Sequence, residues 1–292
     1  MLSRLAGIIL PVFAIIALGW FYAWRAKPDM AETNRISVNV LAPALIFAAL
    51  ASKDFDVVAN RLLIVGSVGV VLGSGLLAWP VARLMRANVR TFVPPMMFNN
   101  CGNMGLPLAA LAYGTGGFSP MVALFTISNL LQFTLGIWMV DHRARLRSVV
   151  RNPIVIATVL GFAFALTHPP LPGWLSAAIK LVGDALIPMM LLSLGVRLFE
   201  ASLGDWRIGL DGAVVCPLTG LVTALVLARL LGLDGTQQGL LILFGSLPPA
   251  VLNFMVAEQF DQEPGKVASI VLLGNLLAIV FVPIGLALAL HP

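Results

Sequence analysis

The sequence predicts an all-α integral membrane protein: ten transmembrane helices, arranged as an inverted repeat of two five-helix halves, with the fourth and ninth spans broken as crossover helices. Three observations carry that expectation. The 292 residues are 59% hydrophobic and 11% charged, with mean hydropathy +0.97, whereas a soluble domain carries about 25% charged residues. The apolar residues fall into runs of about 20, the length that crosses a bilayer core. Two of those runs are interrupted by prolines, glycines and asparagines at matching places in the two halves.

In chain order, the first half holds runs at roughly 5–24, 34–50, 61–84, 91–113 and 119–140. The second holds runs at roughly 153–168, 174–198, 206–231, 236–259 and 266–290. Residues 1–140 and 153–292 thus form two repeats joined by a short basic linker, 141–152. The halves echo one another at an offset near 145: NVLAPALIFAAL (39–50) resembles DALIPMMLLSLG (184–195), and ISNLLQFTLGI (127–137) resembles LGNLLAIVFVP (273–283). Each half has an odd number of spans, so the two insert with opposite topology, the plan of secondary transporters.

The net charge of +5 is not a nucleic-acid signal, because the basic residues sit in loops between spans. Of the 18 Lys and Arg residues, thirteen fall on one side of the membrane, four fall on the other, and Lys180 lies within a span. Positive loops stay in the cytoplasm, which places both termini outside, in a multi-pass inner (plasma) membrane protein. Trp24, Trp79, Trp138, Trp174 and Trp206 fall near span ends, where interfacial anchors belong, while Trp20 lies deeper.

The two interruptions read NNCGNMGLPL (99–108) and GSLPPAVLNF (245–254). Pro107, Pro248 and Pro249 remove amide hydrogens and clash with the preceding turn. Gly102 and Gly105 are expected to relax the backbone further. Polar backbone freed at membrane depth survives only against protein or a water-filled cavity. Asn100, Asn103 and Asn253 can bond that backbone, a substrate, or both. Asn129, Gln132 and Asn275, in the spans that follow, serve either as interhelical glue or as lining of the same cavity. Two inverted breaks that cross would present helix N-terminal ends to one point, which favours an anion.

Asp184 and Lys180 lie one turn apart in the seventh span. They read either as a neutralised interfacial pair or as a site of ion coupling, since ionisable groups in spans are functional candidates. Cys101 and Cys216 both lie within spans, without the neighbours of a disulfide or metal site. No His-Glu-x-x-His pattern and no P-loop occurs. The sequence therefore suggests no enzyme, metal site or cofactor, only a possible coupling ion, H+ or Na+.

Four segments carry a family resemblance. TNRISVNVLAPALIF (33–47), NCGNMGLPL (100–108), GDALIPMMLLSLG (183–195) and LPPAVLNFMVAEQF (247–260) resemble, in order and spacing, motifs of the auxin efflux carrier family, which includes plant PIN carriers and bacterial permeases assigned to malate or malonate. Asn100, Met104, Gly105 and Pro107 fall on the first crossover motif, and Pro248 falls on the second. Asn253 stands where plant members commonly have proline, and the long cytoplasmic loop of many plant carriers is replaced by 141–152. The resemblance implies the fold of the bile-acid sodium symporters, with a scaffold of spans 1, 2, 6 and 7 and a transport domain of spans 3–5 and 8–10. It also implies an elevator-type motion, a homodimer, and substrate at the crossing of spans 4 and 9. The expected function is secondary transport of a small organic anion, a mono- or dicarboxylate or an auxin-like acid. A membrane sensor that keeps the fold, or an anion channel, is the alternative.

Overall fold

In lipid a chain must satisfy its backbone internally, and a single apolar run can do so only as a helix. The computed structural model describes residues 2–52, 55–141, 152–167, 169–200, 204–233 and 235–290, and the regular elements among them are helices. Lys53, His142, His168, His291 and almost all of the basic linker, including its four arginines, lie outside the described residues.

The first half comprises α1 (Leu2–Ala26), α2 (Ala31–Leu50), α3 (Arg61–Leu84), the short α4 (Val89–Met97) and α5 (Leu106–Leu131). α5 turns sharply at Gly114, whose φ of 62° and ψ of −148° favour a residue without a Cβ. Its second arm continues in a long apolar helix, Gly116–Val140. The second half comprises α6 (Pro153–Thr167), α7 (Gly173–Asp184) leading into α8 (Leu186–Glu200), and α9 (Trp206–Leu230). The short α10 (Gly235–Ser246) and α11 (Leu252–Gln259) follow, and then α12 (Pro264–Leu290).

Seven helices among the described residues are long and apolar enough to cross a membrane. The three remaining apolar runs differ for plain reasons: α6 has 15 residues, and the runs at 91–113 and 236–259 are each split between two elements. The outer faces are apolar, with Leu76 73%, Leu84 86% and Trp174 74% exposed, as lipid contact requires. Trp20 is exposed as well and meets Phe199 edge to face.

α1 packs along α8, and α2 packs between α6 and α7. α9 packs against α3, α10 and α12. Small residues permit the closest crossings, as is usual where no water drives helices together. A Cβ on Gly19 would overlap Leu192 O, and one on Gly195 would overlap Ile16 O, so α1 and α8 touch backbone to backbone. Gly220 of α9 and Gly245 of α10 do the same.

Candidate functional site

The two interruptions meet. After α4 the chain goes extended at Phe98 (φ −107°, ψ 100°), and residues 247–251 separate α10 from α11. Asn99 and Pro249 form an isolated antiparallel bridge. The Asn100 amide donates to Pro248 O at 2.6 Å, and the Ala250 amide donates to Phe98 O at 2.9 Å. Each interruption thus satisfies part of the other's backbone, and Pro248 and Pro249 bring carbonyls without competing donors.

Side-chain amides complete the clamp. Asn99 Nδ2 donates to Phe244 O. Asn253 Nδ2 donates to Phe98 O at 2.8 Å and to Ala250 O at 3.0 Å. Asn100 Nδ2 donates to Asn275 Oδ1 at 2.7 Å. Asn275 Nδ2 donates to Pro249 O at 3.0 Å and to Val271 O at 2.8 Å. Gln132 Nε2 donates to Asn253 Oδ1 at 2.9 Å, tying α5 to the second interruption.

Four backbone amides stay outside this clamp. Among the described residues nothing accepts from Gly102 and Asn103, at the start of the helical turn after the first interruption, or from Val251 and Leu252, at the start of α11. Helix N-terminal amides of this kind carry partial positive charge.

A cavity of about 580 Å³ opens in front of them. Asn99, Asn100, Gly102 and Asn103 line it from the first interruption, and Val251 and Leu252 line it from the second. Asn129 and Gln132 contribute from α5; Leu186, Met190, Ser193 and Arg197 contribute from α8. Arg35 of α2 and Arg197 are the only charged residues among the described lining, so no carboxylate faces the space. Arg35 lies within 3.4 Å of Glu32, with both side chains well exposed.

The structure therefore brings Asn100, Asn103, Asn129 and Gln132 to one cavity. Asn253 and Asn275 stand behind its wall, holding the interruptions together. Asn129 also turns its Nδ2 onto Phe125 O of its own helix, at 3.0 Å. Pro107 does not mark the break, which lies upstream at Phe98–Asn100. It sits in the first turn of α5, just after a π turn, Cys101–Gly105. Gly102 and Gly105 do not take up special dihedrals, and Gly105 has φ −63°. They provide room: a Cβ on Gly102 would come 2.8 Å from Phe125 Cε2, and one on Gly105 would come 2.9 Å from Leu247 Cδ1. Asp184 and Lys180 pair at 2.6 Å with about half or more of each side chain exposed, and they line a different cavity, with Leu45 and Ser119.

Sequence patterns did not single out Ser193 or Arg197. Arg197 counts there as one more basic residue near a span end, and Ser193 lies inside an apolar stretch. No group of three or more His, Cys, Asp or Glu residues that could hold a metal occurs among the described residues. Cys101 and Cys216 are buried free thiols.

Comparison with known proteins adds an independent line. A family model described as a membrane transport protein matches residues 6–149 and 142–286. A Rhizobium meliloti (strain 1021) protein named "Putative malonate transporter" is 24% identical over 303 residues, covering 95% of this chain and 93% of that protein. An "Uncharacterized transporter" of Methanothermobacter thermautotrophicus is 25% identical, covering 94% of this chain and 95% of its own. "Auxin efflux carrier component 3a" of Oryza sativa subsp. japonica is 27% identical over 142 residues, which is 46% of this chain and 23% of the rice protein.

Proposed function

The chain belongs to the membrane transport protein family, which takes in auxin efflux carriers, and from that membership we propose that it is a secondary carrier moving a small organic anion by alternating access. The observation that carries the substrate charge is the cavity lining: its charged side chains are arginines, and two helix N-terminal ends face it with unpaired amides. An anion replaces the missing acceptors there, and Asn100, Asn103, Asn129 and Gln132 orient it.

In this reading α6 and the two split runs are the remaining three of ten spans, and the halves insert in opposite senses. The set α1, α2, α6, α7 and α8 acts as the scaffold. The set α3–α5 and α9–α12 carries the substrate in an elevator-type motion, and two copies join through the scaffold. The cavity faces the side of the membrane that holds most arginines, which makes this an inward-open state with both termini outside. A proton or a sodium ion is the coupling ion this reading allows, and Asp184, paired with Lys180 in the other cavity, lies outside the substrate site.

The test is uptake by the purified protein in proteoliposomes, with labelled malonate, succinate and indole acetate. Saturable uptake with counterflow is the expected result. Saturable binding without flux would replace the carrier with a sensor, and non-saturating flux would replace it with a channel. Asn100→Ala should lose uptake while the protein is still recovered folded.

A further inference from the structure

We infer that Arg83, Arg86, Arg90 and Arg207, at one end of α3, α4 and α9, form a docking surface for the headgroup of an anionic phospholipid. The inference needs only the membrane placement of the chain and stands apart from the carrier reading.

The three helices bring these residues to one level. A Cβ on Gly73 of α3 would lie 2.5 Å from Thr223 Cγ2, and one on Gly69 would lie 2.6 Å from Leu227 Cδ1, so α3 and α9 run antiparallel. α4 turns back along α3, where its Met97 reaches Gly75. Met96 of α4 in turn meets α9, with its Cε 3.2 Å from a Cβ placed on Gly212. Arg90 precedes Met96 by six residues and Arg207 precedes Gly212 by five. Both therefore stand about 8–9 Å from that contact by helical rise. Arg83 lies in the last turn of α3 and Arg86 just past it, at the same end.

Among the described residues none of the four arginines enters an ion pair. Asp205, Asp211, Asp261 and Glu263 are the acids of this end, and Glu263 is already engaged by Thr91 and Lys266. Two of the arginines lie on tryptophans instead. The Arg83 guanidinium is 3.8 Å from the centre of the Trp79 ring, and that of Arg207 is 5.5 Å from the Trp206 ring. Both rings are exposed on the outer face, as are Leu84 and Leu210. Tryptophan belongs at the level of the headgroups. A guanidinium stacked by its face keeps its N–H edge for a phosphate, which it can hold with two bonds. The leucines offer apolar surface to the acyl chains.

The backbone at Arg86 is a second, independent sign. α3 ends with Arg86 N donating to Arg83 O and Ala87 N donating to Ala82 O, and Arg86 has φ 57°. α9 ends the same way, through Gly232 N to Arg229 O and Leu233 N to Ala228 O, with φ 62° at Gly232. This termination favours glycine, because a Cβ crowds the left-handed backbone. Gly232 obeys that preference at the opposite end of the bundle. Arg86, its counterpart in the first half, accepts the strain and places there a charge that no partner within the described residues uses. Arginines that merely fix topology are the competing role, and that role requires neither the stacking nor the strained position.

The experiment places the full-length protein in phosphatidylcholine bilayers and follows its tryptophan fluorescence. Brominated phosphatidylglycerol should quench more strongly than brominated phosphatidylcholine at equal mole fraction. Arg83→Gln combined with Arg86→Gln should weaken that preference by roughly fivefold for each charge removed. Arg61→Gln combined with Arg229→Gln, at the other end of the same helices, should leave it unchanged. Arg86→Gly carries the test alone if the double variant does not fold. It relieves the strain, so it should melt at or above the wild-type temperature in phosphatidylcholine and still lose about fivefold in preference. Equal quenching of the wild-type protein by both lipids, or an unchanged preference in Arg86→Gly, overturns the docking surface. Displacement of the phosphatidylglycerol by inorganic phosphate overturns the lipid as its occupant. None of these measurements reads anion uptake, so their failure leaves the carrier reading untouched.

Discussion

Asn275→Ala should loosen the junction of the two interruptions, and its cost can be worked from the hydrogen bonds. Asn275 is 1% exposed and Asn100 is 3% exposed. Removing the Asn275 amide takes the acceptor from Asn100 Nδ2 and the donor from Pro249 O. Val271 O loses a second donor but keeps its place in the helix. Two buried polar groups are then unpaired, which in a water-soluble protein costs about 1–3 kcal/mol each. Within a membrane, measured interhelical hydrogen bonds average about 0.6 kcal/mol and reach about 1.7, because the unfolded chain in lipid also finds partners. A destabilisation of about 1–3 kcal/mol is the resulting expectation. At roughly 2–4 °C per kcal/mol for a chain somewhat smaller than this one, the melting temperature should drop by about 2–10 °C. The assay is thermal unfolding of the detergent-purified protein, alongside a double-mutant cycle with Asn100→Ala. The cycle should show positive coupling, since each variant breaks the same Asn100–Asn275 bond. Unchanged melting, or strict additivity of the two variants, would refute the claim that this asparagine pair joins the interruptions.

Three further outcomes follow from the same structure. Gly220→Ala should strongly reduce folded yield, because its Cβ would overlap Gly245 O, while Gly7→Ala, with nothing within 4 Å of the new methyl, should melt at or slightly above the wild-type temperature; size-exclusion profiles and melting curves distinguish them. Glu263, in the loop before α12, accepts hydrogen bonds from Lys266 and Thr91, and these, led by Lys266, hold its carboxyl below the usual carboxylate range; its stabilising share is therefore complete at neutral pH and lost as pH falls through that lowered pKa, so Glu263→Gln should flatten the acid limb of the melting profile. Asp184→Asn should leave malonate uptake within about twofold, as exposed ion pairs contribute about 0–1 kcal/mol and this one lies outside the asparagine-lined cavity; abolished uptake would instead give Asp184 the proton.

The membrane class and the interruptions were legible because both are compositional. Charge scarcity cannot be disguised, and prolines, glycines and asparagines inside an apolar run have few other uses. What each polar residue does was not legible. Asn100 and Asn275 are far apart in sequence, and nothing local tells that one donates to the other while only Asn100 borders the cavity. The π turns at Ser37–Leu41 and Cys101–Gly105 leave a fainter trace, since each ends two residues before a proline, Pro43 or Pro107. A proline there deprives the carbonyl four residues back of its donor, and the turn widens. The π turn Gln132–Gly136 has no such proline, and the sequence carries no sign of it. The cavity positions of Ser193 and Arg197 were hidden for another reason: nothing in an apolar stretch tells which side of a helix borders a cavity.

The contact of α2, α7 and α8 with α5 is hollow at both ends. Along α2, the asparagine-lined cavity reaches Ala42, and the cavity holding Lys180 and Asp184 begins at Leu45. Where α7 meets α8 the change falls between Asp184 and Leu186, and on α5 it falls between Ser119 and Phe125. The septum is therefore one to two helical turns thick, about 5–9 Å, and its core is apolar: Leu45, Val122 and Leu186 are each 2% exposed or less. Dry apolar packing of that thickness is enough to stop an anion, because a carboxylate entering it would shed its water without gaining a partner. It is also thin enough that a shift of one helix set past the other by one or two turns would carry the amide ends from one hollow to the other. In the carrier reading, the polar clamp between the interruptions would hold the moving elements together during such a shift. Its hydrogen bonds close among α4, α5, α10, α11 and α12, so those elements could move together with the clamp intact, while the amides of Gly102, Asn103, Val251 and Leu252 would still need water or a ligand as acceptor.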